Sequence, residues 1–371
     1  MLEANPHAEL PKIISLQTLP VRIPFVDGGA GTGGTPSRWH VFDMVLVRVE
    51  DDEGNVGWGE AFAYFCLEAV KSAVDRMIAP FVVGQSISDI PAWNIDIQKK
   101  LHLFGRYGIT LFALSGVDIA LWDLAARRAR KPLWMLLGAD VAVQRRAYAS
   151  LVRYGNADLV AVQCQKALDL GYRHVKLHEI APDVIRRARE VVGPDVPLMV
   201  DANCTWSVEE TIALRKIFVE CDVLWVEEPI FPPDDYTGLA RIEGQGIATG
   251  AGENASTVFD FERVIQSVTY PQPSVTKVGG ISEFISVLKS CAQAGKIAMP
   301  HTPYFGPGYF ATLAMLPLTS PRTLVEYLFV EPEAWLADTP QPVNGLLSAG
   351  DDFGIGFTPN PDVMARYAAS L

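Results

Sequence analysis

PLMVDAN (197–203), VLWVEEP (223–229) and IATGAGE (247–253) are three short apolar runs, each with a carboxylate at or near its end and a helical stretch before the next. Asp201, Glu227 and Glu253 fall 26 residues apart, 201 to 227 to 253, which places them at equivalent positions on neighbouring strands. Parallel neighbours need a crossover of a dozen or more residues, so strand, helix and strand at this period reads as a parallel unit. The same rhythm extends outward through RRAYASL (145–151), HVKLHE (174–179), PSVTKV (273–278), KIAMPH (296–301) and TLVEYL (323–328). About eight such repeats match a closed parallel barrel, with a doubly wound open sheet as the alternative. Several runs end in polar residues: His178-Glu179, Asp201 to Asn203, Glu227-Glu228, Glu253, His301 and Glu326. In a barrel, side chains at the C-terminal strand ends share one site. Three carboxylates converging there would repel one another unless a cation sat among them, and hard oxygen ligands suit Mg²⁺. The plainer alternative is that each caps a helix or pairs with a nearby base.

Before residue 132 the pattern differs. VFDMVLVRVEDDEGNVGWGEA (41–61) alternates at period two around Asp52 to Asn55 and predicts a hairpin. Apolar residues recur at helical spacing over 69–82 and 110–130. The 371 residues are 49% hydrophobic and 20% charged, which excludes a disordered chain, and the net charge of −12 opposes binding to nucleic acid or anionic membranes. Five scattered cysteines without ligand spacing read as free thiols of a reducing compartment. With no leader-like N-terminus and no membrane-length apolar run, a cytoplasmic protein is expected.

ALSGVDIALWD (113–123), VDAN (200–203), WVEEP (225–229), AGEN (251–254), KVGGIS (277–282) and GDDFGIGF (350–357) together resemble the mandelate racemase/muconate lactonizing enzyme branch of the enolase superfamily, over nearly the whole chain. The resemblance implies an α/β fold: a modified (β/α)7β TIM barrel over 133–342, an α+β capping domain over 1–132, and a segment, 343–371, that returns to the cap with GDDFGIGF as a strand. It implies Mg²⁺ on Asp201, Glu227 and Glu253, a small carboxylate substrate, and homo-oligomers, dimers or octamers. The shared chemistry would be removal of the proton α to a carboxylate to give a metal-stabilised enediolate.

Lys176 and His178 are two apart and share a face. The family's usual Lys-x-Lys is here Lys-x-His, so either residue is a candidate base, with Lys176 expected to lower the His178 pKa by repulsion. His301 matches the family's strand-seven histidine, but the Asp that partners it is Ser274 here. Glu326 matches a glutamic acid that binds the substrate carboxylate while protonated; a salt bridge is the alternative. Lys277, three past Ser274, is expected to face out of the barrel. Asn203 is a candidate substrate contact, and Tyr304 either reaches the site or plugs it. PFVDGGAGTGGTPSRWH (24–40) spells a dinucleotide fingerprint at Gly29, Gly31 and Gly34, but Thr35-Pro36-Ser37 follow where a helix should open. The resemblance makes this segment a lid, with Arg38 and Trp39 as candidate substrate contacts. The damaged pairings favour a dehydratase of hydroxy acids or acid sugars; a racemase or epimerase is the alternative, and a non-catalytic metal-binding member a further one.

Overall fold

Alternating apolar residues on either side of a turn build the first sheet from β1 (Ile13–Val26), β2 (Val41–Asp51) and β3 (Val56–Phe62), all antiparallel. The computed structural model describes residues 9–29 and 39–371. Gly54 takes a φ of +83° and the Asp51 carboxylate accepts from Asn55 N–H at 2.8 Å, which closes the predicted hairpin. The strand β1 escaped the periodicity because Pro20 and Pro24 interrupt its donors, a pattern tolerated only near a sheet edge. Its outer side is paired by another strand only at Phe25 and Val26.

Helix α1 (Leu67–Ala73) runs into a π turn at Val74–Ile78 and a 3-10 turn at Ala79–Phe81, in place of one regular helix. After α2 (Ile90–Lys100) comes α3 (Ile109–Arg128), long and apolar enough to cross a membrane by length and composition, yet 83% buried inside the protein. Glycines let it lie flat on β3: a Cβ on Gly59 would stand 2.0 Å from the Gly116 carbonyl oxygen.

After α4 (Leu133–Leu136) the chain alternates strand and helix through β4 (Gln144–Ser150), α5 (Ala157–Asp169), β5 (Val175–Leu177), α6 (Pro182–Val192) and β6 (Leu198–Asp201). It continues through α7 (Val208–Ala213), α8 (Arg215–Glu220), β7 (Val223–Glu227), α9 (Tyr236–Glu243), β8 (Thr249–Ala251), α10 (Thr257–Ser267) and β9 (Tyr270–Pro271). Then follow α11 (Gly280–Gln293), α12 (Pro307–Ala314) and β10 (Leu324–Leu328), which pairs in parallel with β4. The sixth strand is therefore Tyr270–Pro271 and not 273–278. Lys277 and Val278 donate their N–H groups back to Ser274 O, so 274–278 is a turn. Residues 297–301 form no ladder, but Met299 N–H and His301 N–H bond Pro271 O and Pro273 O, and Thr302 Oγ1 donates to Glu326 O, closing the ring.

Inward side chains form two levels. Tyr148, Met199, Trp225, Met299 and Leu324 make an apolar floor; two residues further along each chain, Ser150, Asp201, Glu227, His301 and Glu326 stand above it.

The tail after β11 (Glu331–Pro332) and β12 (Leu346–Ser348) turns back to the first sheet, with α13 (Pro361–Arg366) near its end. GDDFGIGF is not a strand; its turns dock through Ile355 N–H on Asp123 Oδ1 at 2.8 Å and Leu133 N–H on Gly354 O. Tyr367 O accepts from Arg22 N–H on β1. Asp118 of α3 caps α11 from outside, accepting from Ser282 N–H at 3.0 Å and Ser282 Oγ at 2.6 Å.

Glu60 on β3 accepts from Gly308 N–H in the first turn of α12 at 2.9 Å. Burial pushes its carboxyl up to about 7 from 4.5, and this one donor does not offset the effect. The folded protein then keeps the proton to higher pH than the unfolded chain, so this group lowers stability as pH rises from 4.5 to about 7. Glu60→Gln is expected to flatten that part of the stability profile and to exceed the parent by about 2–3 kcal/mol at pH 8 in urea denaturation.

Candidate active site

The upper level of the barrel gathers five carboxyl groups. Asp201, Glu227 and Glu253 end β6, β7 and the segment after β8, and one oxygen from each lies within 4.8 Å of the others. Glu228 and Glu326 lie beside them, both buried.

Lys176, wholly buried on β5, compensates part of this charge. Its Nζ lies 3.1 Å from Asp201 Oδ2, 2.5 Å from Glu227 Oε1 and 2.9 Å from Glu326 Oε1. Burial works against the ammonium, but Glu227 and Glu326 outweigh it and hold its pKa well above the usual value. The carboxyls respond unequally. Burial would raise Asp201, yet Lys176 and His178 hold it well below the carboxylate range. Burial pushes Glu227 up to about 7 despite Lys176, and burial with the nearby Glu253 pushes Glu228 up to about 8. Burial would also raise Glu326, but Lys176 and His301 lower it. Glu326 is thus a salt-bridged carboxylate in this structure, also accepting from Ser150 Oγ and Thr302 N–H, rather than a protonated acid.

His178 lies on the same face as Lys176. Its Nδ1–H donates to Leu151 O at 2.5 Å and its Nε2 lies 3.1 Å from Asp201 Oδ2. An imidazole with oxygen acceptors at both nitrogens carries both protons. Burial opposes that charge and Asp201 overcomes it, so the pKa is raised, not lowered as repulsion from Lys176 alone suggested. On the other side, His301 Nε2 lies 2.7 Å from Glu253 Oε2, while its Nδ1 is buried without a partner. Ser274 does not replace the missing Asp: its Oγ faces Tyr304 OH at 3.1 Å. Tyr304 is fully buried, bonds Ser274 and the His301 carbonyl, and does not line the cavity, so it plugs the loop.

The cavity above the carboxylates holds about 110 Å³. His178, Asn203, Glu253, Lys277, His301 and Glu326 line its barrel side; Trp39, Phe62, Tyr64 and Phe65 line the side toward the first sheet. Asn203, at a φ of +46°, presents a buried Oδ1 without a partner. Arg38 and most of the 24–40 segment lie outside the described residues. A larger open cleft of about 410 Å³ lies outside the barrel near Asp27, Gln163 and Trp335, away from the carboxylates.

Several contributors were missed by sequence reasoning. Trp225 Nε1 and Gln272 Nε2 both donate to Glu227 Oε2, at 3.0 and 2.7 Å, and fix that carboxylate. Trp225 lies two residues before Glu227, a signal that period-two reading could have used. Arg153 Nε donates to His178 O at 2.6 Å, a link across loops with no local signature. Lys277 enters the cavity because its segment is a turn, to which strand alternation does not apply.

The donor set fits a hard divalent cation: three carboxylate oxygens converge, burial and neighbouring carboxylates raise Glu227 and Glu228, and hard oxygen ligands suit such an ion. Residues 37–138 match the family profile described as "Mandelate racemase / muconate lactonizing enzyme, N-terminal domain", and residues 159–363 match "Enolase C-terminal domain-like". The chain belongs to the mandelate racemase/muconate lactonizing enzyme family of the enolase superfamily. It is 32% identical over 91% of its length, and 94% of the relative's, to a 3,6-anhydro-α-L-galactonate cycloisomerase of Streptomyces coelicolor. It is 30% identical over 88% of its length, and 86% of the relative's, to an L-rhamnonate dehydratase of Saccharopolyspora erythraea. Among solved structures, a racemase from Streptomyces coelicolor A3(2) with bound magnesium superposes with a TM-score of 0.88 at 30% identity, covering 96% of this chain and 100% of that one.

Its three carboxylate contacts make Lys176 a sensitive position. Removing its ammonium leaves Asp201, Glu227 and Glu326 buried together without a cation. In metal-free protein at pH 8, Lys176→Met is expected to lose roughly 3–5 kcal/mol of stability by urea denaturation. The loss should shrink as pH falls and the carboxyls take up protons.

Proposed function

We propose that this protein is a Mg²⁺-dependent enzyme that removes the proton α to the carboxylate of an acid sugar or hydroxy acid and then expels the β-hydroxyl as water. The observation that carries the reading is the placement of two imidazoles on either side of three convergent carboxylates, His178 against Asp201 and His301 against Glu253. Relatives that act as an acid-sugar dehydratase and an acid-sugar cycloisomerase support the substrate class.

Asp201, Glu227 and Glu253 would hold the ion. Bound there, Mg²⁺ would supply the positive charge that the substrate's carboxylate oxygens need as the α-carbon loses its proton. Trp225 and Gln272 keep Glu227 in place. The Leu151 carbonyl holds the proton of His178 on Nδ1, so Nε2 is the basic atom once Asp201 is committed to a cation. His178 then takes the α-proton. His301 gives a proton to the departing hydroxyl, which leaves as water while the remaining enol becomes a 2-keto acid. Asn203 offers its amide to the substrate, and the rings of Trp39, Phe62, Tyr64 and Phe65 keep bulk water from the cavity. A second reading, isomerisation, is favoured by the same pair of imidazoles, because a proton taken by one can be returned by the other.

Proton NMR in D₂O with Mg²⁺ and a panel of acid sugars separates the two readings. Loss of the α-proton signal with appearance of a 2-keto acid is the expected result; exchange with no loss of water means an isomerase, and no exchange across the panel removes both. His301→Asn is expected to lower kcat by about 10²–10⁴ while the fold is retained.

Adding Mg²⁺ to chelator-treated protein is expected to raise its thermal midpoint, equivalent to about 2.7 kcal/mol at a hundredfold excess over Kd. Glu227→Gln should show little or no rise.

A further inference from the structure

Two lysines stand at this site, in opposite circumstances. Lys176 meets three carboxylates. Lys277 is 7% exposed, yet among the described residues it forms no ion pair within 4.0 Å. Its Nζ lies 5.0 Å from the ring centre of Phe62 and 5.9 Å from that of Phe112, with one long hydrogen bond, 3.4 Å, to Asn254 Oδ1. Ring faces compensate a buried ammonium only in part. An ammonium has three donors, and among the described residues one of them has an acceptor. A buried donor left without one is costly unless something arrives to accept from it.

The neighbouring wall narrows what that can be. Tyr64 OH is spent on Pro303 O and Trp39 Nε1 on Val41 O, so with Phe62 and Phe65 these residues offer ring faces and no donors. Lys277 stands on the barrel side with its Nζ turned to the ring of Phe62, and among the described residues lining the cavity it is the one lysine or arginine. Among the described residues no further acceptor is within reach, and a ligand whose reacting end lies at Asp201, Glu227 and Glu253 and whose other end reaches Lys277 supplies one.

We propose that Lys277 is the substrate-recognition residue of this site, donating to an oxygen at the end of the substrate remote from its reacting carboxylate. This rests on the acid-substrate reading above. It selects acids that carry a distal hydroxyl or second carboxylate and disfavours those whose far end is hydrocarbon.

Binding to Mg²⁺-loaded protein, measured by calorimetry, tests this without turnover. The probes are tartrate with a second carboxylate, threonate with distal hydroxyls, and 2-hydroxybutyrate with neither. Lys277→Met keeps an apolar stem between Phe62 and Phe112, and Lys277→Arg keeps the charge. The parent is expected to prefer tartrate or threonate to 2-hydroxybutyrate. In Lys277→Met that preference should fall roughly 10- to 100-fold, with 2-hydroxybutyrate affinity unchanged and partial recovery in Lys277→Arg. Loss for tartrate alone identifies the acceptor as a carboxylate, and loss for both as any oxygen; either supports the proposal. Equal weakening of all three, no change in any, or no binding of any probe to the parent overturns it. The D₂O assay reports separately, so a parent that discriminates among the probes but exchanges no proton refutes the proposed reaction and leaves the recognition site standing.

Discussion

Five carboxyl groups must coexist in a space from which water is largely excluded, and the Lys176 ammonium makes this possible in the protein alone. It bridges β6, β7 and β10 from β5, so one side chain ties together the charges of three other barrel strands. The arrangement does not reach neutrality. Asp201 stays ionised, Glu227 and Glu228 are pushed toward the neutral form, and both histidines point a nitrogen at a carboxylate. A site with an unfilled demand for positive charge is prepared for a cation. The same excess of negative charge raises His178, where Asp201 outweighs the cost of burial.

The two sides of the cavity divide the work by chemistry. The barrel contributes ionisable groups on short, rigid strand ends, and the first sheet contributes aromatic surface whose polar atoms are already engaged. Lys277 belongs to the barrel but rests its charge on Phe62 and Phe112, so recognition sits at the seam where the two meet.

The barrel and its acidic triad were legible because both depend on period. A repeat of strand and helix places Asp201 opposite Glu227 on the next strand, whereas Glu253 lies beyond Gly250, the residue opposite Glu227, and reaches the same site from the segment after β8. Lys176 with His178, and Glu326, follow from alternation along single strands. What escaped depends on interactions with no local signature. The strand β1 was hidden by prolines that an edge can accept. The turn at 274–278 resembles a strand in composition, and strand alternation directs Lys277 outward where the turn directs it into the cavity. Tyr304 sits in a loop, and its hydroxyl is held away from the cavity by Ser274 and the His301 carbonyl, contacts with no local signature. For Glu326 the sequence leaves a protonated acid and a salt bridge open, and the lysine beside it decides for the salt bridge.

The docking of Ile355 on Asp123 joins residues 232 apart in the chain. Helix α3 and β3 leave the ribosome early, but the Asp123 carboxylate, bonded to Trp58 N–H and Arg127, meets its last backbone partner only after every barrel strand has been synthesised. For most of translation the nascent chain therefore carries a twenty-residue apolar helix whose packing is unfinished. The last backbone partner of α3 thus arrives only after the barrel strands, and until then its exposed apolar surface is open to contact with other chains.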